Sequence, residues 1–224
     1  MRGLPREGAM MAMMMLTGPD FRERHVLDDG TEVTLRHIRP DDADELRRGF
    51  HRLSRASRYR RFQGVLNDLS GSMVHYLTHV DGRDHVAIVA TRAADDGREI
   101  GLGVARFVRS TEDPTVAEVA LTVVDEVQRR GLGRILAVAI ARAARERGIH
   151  RLQGPILRDN VPIRLLLDEV GAEVHHGPDG TVFEVSLDPA PETNGARARI
   201  ERIARKVMRA FAHGAPASAI RSSP

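Results

Sequence analysis

Hydrophobic and polar positions divide the middle of the chain into strand-like and helix-like stretches. Residues 85–92, 100–109 and 116–124 are rich in β-branched residues, which predicts three strands. The turns Asp95-Asp-Gly97 and Asp113-Pro114 separate these stretches. The three strands are therefore predicted to form an antiparallel meander.

A helical period follows the meander. Its apolar stripe predicts a helix over 133–147 that ends at Gly148: Ile135, Leu136, Ala139, Ile140 and Ala143. Residues 150–156 then predict a strand parallel to the third, because a helix connects the two. A second helix over 162–170 and a closing hairpin over 172–187 complete this half.

The first half begins with a hairpin over 25–38 around the turn Asp28-Asp-Gly30. Helices are predicted over 40–52 and 54–62, and a third helix is capped by Ser70. The folded domain is therefore assigned to residues 21–188.

The two ends of the chain differ from this domain. Residues 1–20 are interpreted as a disordered leader, and the true start codon is left open. Residues 189–195 are interpreted as a linker. Beyond it, apolar residues at helical spacing alternate with basic ones, which predicts a basic amphipathic helix. The helix would contact a membrane surface, nucleic acid, the domain itself or a partner in a homodimer. Contact with protein, either the domain or a homodimer partner, is the favoured alternative.

Composition excludes several function classes. The chain has 224 residues and no cysteine, so disulfides, thiolate metal sites and a cysteine nucleophile are ruled out. No apolar run reaches the ~20 residues needed to span a bilayer, and a cytoplasmic location is expected. The net charge is +3. Acidic residues are spread along the domain, so no clear nucleic-acid partner is indicated.

A glycine-rich segment, Gln128-Arg-Arg-Gly131-Leu-Gly133, joins the third strand to the following helix. Unpaired N–H groups and the helix dipole favour an anion at such a helix start. The strand–turn–helix is therefore predicted to bind a pyrophosphate, with Arg129, Arg130 and Arg134 adding positive charge.

Other phosphate-binding loops fit this segment poorly. A P-loop would need Gly-Lys-Ser/Thr, but Arg134 follows Gly133. A dinucleotide fingerprint would need a third Gly or Ala where Leu136 stands. The pattern Gln/Arg-x-x-Gly-x-Gly/Ala fits at every fixed position.

That pattern resembles the acetyl-coenzyme A loop of the GNAT superfamily of N-acetyltransferases. The segment Asn160-Val-Pro-Ile-Arg-Leu-Leu-Leu167-Asp-Glu-Val-Gly171 is similar to the superfamily's next helix, and the resemblance covers roughly residues 30–188. It implies an α/β (α+β) GNAT fold, with a mixed, mostly antiparallel twisted sheet and helices on both faces.

The resemblance also implies a cofactor and its contacts. Acetyl-CoA would be the co-substrate, and its pantetheine would pair with the backbone of Leu121, Thr122 and Val123 between diverging strands. The loop from Gln128 to Arg134, including Leu132, and Asn160 would complete the cofactor site. Acetyl would pass directly to the amine, without an acyl-enzyme.

Glu118 is the candidate general base. A lysine amine with pKa ~10.4 is almost wholly protonated at pH 7, so a base would accelerate transfer. A glutamate in an apolar strand is costly unless it is solvated or functional. The sequence alone leaves open an exposed carboxylate paired with Arg106 on the next strand. The resemblance favours the base, because a group of these enzymes has Ala-Glu before a hydrophobic run.

One position departs from the superfamily. Its tyrosine, often the acid for the leaving thiolate, falls on Leu167. Water would protonate the thiolate, or no acid is needed, since a thiol pKa of ~8.5 makes a tolerable leaving group.

A closer resemblance is to the catalytic domain of bacterial Pat-type protein lysine acetyltransferases. It is carried by Ile38-Arg-Pro-Asp-Asp, by the segment from Leu53 to Phe62 and by Asp84-His-Val-Ala-Ile-Val-Ala. It implies a protein lysine acceptor, with an acyl-CoA synthetase as one candidate. The basic residues of 55–61 would suit an acidic partner, and a solvated helix face is the favoured alternative.

Two other activities remain open, namely acetylation of a small amine or amino acid and non-catalytic acyl-CoA binding. His75 and His79 are one helical turn apart, as in a metal pair. No third ligand is evident, so no metal is predicted.

Overall fold

One eight-stranded sheet organises the part of the chain that the computed structural model describes, which is residues 18, 20–157, 160–170, 172–177 and 180–188. The strands are β1 Arg22–Val26, β2 Glu32–His37, β3 His85–Ala93, β4 Glu99–Arg109, β5 Val116–Val123, β6 Arg151–Ile156, β7 Glu173–Gly177 and β8 Gly180–Ser186. Their order across the sheet is β1-β2-β3-β4-β5-β6-β8-β7. All neighbours pair antiparallel except β5 and β6, which are parallel. The mixed, mostly antiparallel sheet predicted from the resemblance is confirmed.

The α-helices in the described residues are α1 Ala43–His51, α2 Arg55–Phe62, α3 Gly71–Thr78, α4 Leu132–Glu146 and α5 Val161–Val170. Short 3-10 turns at Pro40–Asp42 and Asp125–Val127 precede α1 and the glycine-rich loop. The helix predicted over 40–52 therefore begins with a tighter turn, which suits the proline at its first position.

Helix α4 covers one face of the sheet with the apolar stripe read from the sequence. Leu136, Ala139, Ile140 and Ala143 are all buried. Leu136 lies so close to β4 that a Cβ on Gly103 would approach its Cδ1 to 2.9 Å. Helices α1, α2 and α3 lie against the opposite face, so the sheet is covered on both sides.

Strand β5 is held very differently by its two neighbours. It pairs with β4 over seven residues, from Ala117 to Val123. It pairs with β6 over only three, from Val116 to Glu118. Beyond Glu118 the two parallel strands separate, because their register ends at Gln153 of β6. The sheet therefore opens into a V in its middle.

The predicted leader and the predicted basic helix beyond residue 188 lie outside the described residues. Within the described part, no helix is long and apolar enough to cross a membrane.

Candidate active site

The opening between β5 and β6 exposes backbone hydrogen-bonding groups of β5. The carbonyl oxygen of Val119 faces β6, since a Cβ on Gly154 would lie 2.8 Å from it. Backbone groups alternate in direction along a strand, so those of Leu121 and Val123 also face the opening. The Val123 carbonyl already accepts from Gln128 Nε2 at 3.0 Å, so Val123 offers its N–H. Thr122 faces β4, where it lies opposite Val104.

The glycine-rich loop closes the wide end of this opening. Arg129 and Gly131 both have positive φ, at 60° and 86°. A left-handed residue near right-handed ones curls the chain into a concave nest of N–H groups. Among the described residues, the N–H groups from Arg129 to Gly133 donate to no backbone carbonyl. This arrangement suits a pyrophosphate.

The turn between β1 and β2 supports the loop from outside. The Asp28 N–H donates to the carbonyl of Arg130 at 3.2 Å, and the Arg130 side chain forms an ion pair with Asp29. Arg130 is therefore tied to the fold, while Arg129 and Arg134 are exposed at the rim of the loop.

The first turn of α4 contains one buried residue, Leu132, and one residue with open space beside it, Gly133. Leu132 is 1% exposed and fixes the turn in the core. Gly133 has room for a side chain, because among the described residues a Cβ there would meet only Leu121 Cδ2, at 4.0 Å. This space borders the nest.

Asn160 and Leu167 lie beyond the opposite strand of the opening. Asn160 directly precedes α5, and its carbonyl accepts from Arg164 N–H at 3.2 Å. Leu167 is 4% exposed and packs with Ile156 and Phe183. The position of the superfamily tyrosine is thus part of the core and offers no acid.

Glu118 lies at the vertex of the opening, in the last pair before β5 and β6 separate. Its side chain is exposed. It forms no ion pair within the described residues, so the pairing with Arg106 considered from the sequence is not formed. Arg106 instead donates to His85 Nε2 and to the Leu77 carbonyl, each at 3.0 Å.

A cluster of four side chains beside Glu118 was missed from the sequence. Arg61 of α2, Tyr76 of α3, His85 of β3 and Arg106 of β4 converge on the face opposite α4. The Tyr76 ring lies 4.8 Å from the His85 ring, centroid to centroid. We name these four residues the arginine cluster. The sequence pointed to Arg61 only as part of a basic helix that would suit an acidic partner. It pointed to Arg106 by strand alternation, which puts this residue on the face of Glu118.

Burial perturbs the pKa values of this cluster. It lowers the pKa of Arg61, and together with repulsion from Arg61 it lowers the pKa of Arg106 to about 10. Burial, followed by repulsion from Arg106, also lowers the pKa of His85. A guanidinium only donates hydrogen bonds, so His85 Nε2 must be the acceptor and the ring neutral.

Hydrogen bonds link the cofactor loop to helix α2. Asp125 accepts from Ser54 N–H at 2.9 Å and from Ser57 Oγ at 3.1 Å. Gln128 Nε2 donates to the Val123 carbonyl at 3.0 Å and contacts Ser57 Oγ at 3.3 Å. The start of the helix that carries Arg61 is therefore fixed by the loop that carries the nest.

A cavity of about 90 Å³ lies between α1–α3 and the sheet. Its lining is mostly apolar and includes Phe50, Leu77 and Thr122, with Arg61 and Arg106 from the arginine cluster. It lies on the face of β5 opposite α4.

The histidine pair does not form a larger ligand set. His75 and His79 stack with ring centroids 3.8 Å apart. In the described part of the chain, no group of three His, Cys, Asp or Glu side chains is placed to hold a metal ion.

Comparison with known proteins identifies the family. Residues 32–173 match the family described as acetyltransferase (GNAT) domain. The chain belongs to the GNAT family of acetyltransferases. Acetyltransferase Pat of Mycolicibacterium smegmatis is 35% identical over 182 residues, which are 79% of this chain and 53% of Pat. The chain thus spans about half the length of that GNAT relative.

Solved structures of acetyltransferases have the same fold as this chain. The GNAT domain of S. lividans PAT has a TM-score of 0.67 and 32% identity, covering 74% of this chain and 96% of that domain. The protein yncA of Salmonella typhimurium, solved with its cofactor acetyl-CoA, has a TM-score of 0.57 and 18% identity, covering 73% of this chain and 98% of its own. At 18% identity the likeness concerns the fold alone.

Proposed function

We propose that this GNAT domain transfers acetyl from acetyl-CoA directly to a protein lysine, with Glu118 as the general base. The observation that carries the proposal is the exposed Glu118 carboxylate at the vertex of the opening between β5 and β6. A thioester placed along β5 would reach this vertex, and an amine could approach it from solvent.

The cofactor would lie along the wide side of the opening. The nest from Arg129 to Gly133 would bind the pyrophosphate, aided by the positive end of α4. The pantetheine would pair with the backbone of Leu121 and Val123 as an added strand. Asn160 would flank it from the side of β6.

The chemistry then needs one base and one leaving group. Glu118 removes a proton from the ammonium of the acceptor, which a base of this kind accelerates by ~10²–10⁴-fold. The neutral nitrogen attacks the thioester carbonyl. The tetrahedral intermediate gives its second N–H proton to solvent water and collapses to the amide with loss of the thiolate. Water returns a proton to the thiolate, because Leu167 offers none.

A protein acceptor is supported by the exposure of Glu118 and by the similarity to acetyltransferase Pat. An exposed base can be reached by a lysine on a folded surface. A small amine or amino acid is the second candidate, and the cavity of about 90 Å³ favours it. Because the chain has no cysteine, we also propose a reducing compartment, the cytoplasm.

The test follows the label from radioactive acetyl-CoA incubated with a cell lysate. Wild-type protein is compared with Glu118→Gln, and protein and small-molecule fractions are counted separately. We expect label in protein that is lost with Glu118→Gln. Label only in the small-molecule fraction would establish the second candidate. No label from a protein that binds acetyl-CoA would leave a binding module and refute the enzyme.

A further inference from the structure

Two positive charges in the arginine cluster lack a carboxylate partner. The Arg61 side chain is half-buried. Among the described residues its guanidinium makes no hydrogen bond or ion pair, and its Cζ lies 5.0 Å from the centroid of the Phe62 ring. Arg106 donates to a neutral imidazole and to a carbonyl. A buried cation without a counter-charge is costly.

Other buried or partly buried arginines of the domain show how carboxylates neutralise a guanidinium. Arg36 is 3% exposed and forms ion pairs with Asp42 and Glu99 at 2.7 and 2.6 Å. Arg52, which is also partly buried, pairs with Glu45 at 3.2 Å. Arg36 and Arg106 are the fully buried arginines among the described residues. Two acids neutralise Arg36 and none in the described part neutralises Arg106, so the missing acid at Arg106 needs another explanation.

Glu118 alone does not provide the missing charge. It attracts Arg61 electrostatically, but it stays beyond ion-pair distance and is exposed. One carboxylate also cannot neutralise two guanidinium groups. An anion held by the arginines would lie next to the base, within reach of the amine that Glu118 deprotonates.

We propose that Arg61 and Arg106 form a subsite for a carboxylate carried by the acceptor near its reacting amine. This rests on the proposed function and specifies its substrate class. For a protein acceptor the carboxylate belongs to an acidic residue adjacent to the lysine. For a small acceptor it is the α-carboxylate of an amino acid.

The test uses matched acceptors that differ in one charge. Two lysine-centred peptide libraries carry either Glu or Gln on both sides of the lysine and are random elsewhere. Dissociation constants are measured for wild-type protein saturated with CoA, which requires no acetyl transfer. We expect the Glu library to bind about tenfold more tightly, as one charge-assisted contact gives. The preference should disappear in Arg61→Gln.

Free lysine and lysinamide form the second arm, which separates the two sources of carboxylate. A preference for free lysine with no preference between libraries would assign the subsite to an amino acid. Equal binding within both pairs would refute the subsite. Transfer of label without any binding preference for a carboxylate would refute the subsite but retain the proposed function. A binding preference without transfer of label would support the subsite and refute the proposed function.

Two variants control for other roles of Arg61. Arg55→Gln removes an exposed charge from the same helix, so it should change affinity for both libraries by the same factor. If Arg61 only keeps Glu118 ionised, Arg61→Gln would shift the pH profile of transfer equally for all acceptors. Such a shift with the Glu preference intact would overturn the proposal. Arg61→Lys should restore part of the preference.

Discussion

The two sides of β5 present different chemical groups, namely backbone amides on one side and side chains on the other. On the cofactor side the candidate groups are backbone amides, presented by a nest with φ of 60° and 86° and by the first turn of α4. On the side proposed for the acceptor they are Glu118 and the side chains of the arginine cluster, which come from four separate elements. The first side follows from local sequence, and the second exists only after the chain has folded.

The largest expected effect is that of Glu118→Gln, which should lower the rate of acetyl transfer without weakening the binding of acetyl-CoA. Glu118→Gln should lower kcat/KM by about 10²–10⁴-fold, because the acceptor amine would lose its base. Acetyl-CoA affinity should stay within about twofold, since the nest is untouched. Steady-state kinetics and calorimetric titration with acetyl-CoA check both. Activity close to that of wild type would remove Glu118 from the mechanism.

The second effect concerns the cofactor side alone. Gly133→Ala has room in the fold and replaces glycine inside a helix, so stability should rise by up to about 1 kcal/mol. The glycine-rich pattern accepts Ala as well as Gly at this position, so acetyl-CoA affinity should stay within about twofold.

Gly131→Ala is the matched comparison. Gly131 has φ of 86°, and an added Cβ there would lie 3.4 Å from Asp28. This variant should lower both affinity and stability, by about 1–2 kcal/mol for the latter. Thermal unfolding with and without acetyl-CoA measures both effects. Unchanged affinity in Gly131→Ala would move the pyrophosphate away from this turn.

The third effect tests the connection between the two sides. Asp125→Ala removes two acceptors at the start of α2 and should cost about 1–2 kcal/mol of unfolding free energy. Because α2 carries Arg61, KM for the acceptor should rise more than KM for acetyl-CoA. Glu126→Ala, at the exposed neighbouring position, is the control and should change neither value. Equal changes in both KM values would show that the link does not position Arg61.

Particular residues show how far the sequence could predict this site. The order of strands and helices, the buried stripe of α4 and the location of the loop all came from periodicity and turn residues. Glu118 became a candidate because a carboxylate interrupts an apolar strand, and the resemblance to the superfamily then favoured it as the base. Arg61, Tyr76 and His85 carried no such signal, since a basic helix, an isolated tyrosine and a strand histidine are each ordinary on a solvated surface. Their common location depends on how α2 and α3 pack across the sheet, which no local pattern encodes.

The smallest effect is a dependence of stability on pH that arises from the acceptor side. The pKa of His85 is lowered in the folded protein by burial and then by Arg106, so the unfolded chain binds the proton more readily. Stability should therefore be highest above the ordinary histidine pKa of about 6.5 and fall as the pH drops below it. Protonation would also remove the acceptor of the Arg106 hydrogen bond. In urea unfolding between pH 7.5 and 5, His85→Gln should lose less stability than wild type. Equal slopes in wild type and His85→Gln would mean that the neutral imidazole is not required beside Arg106.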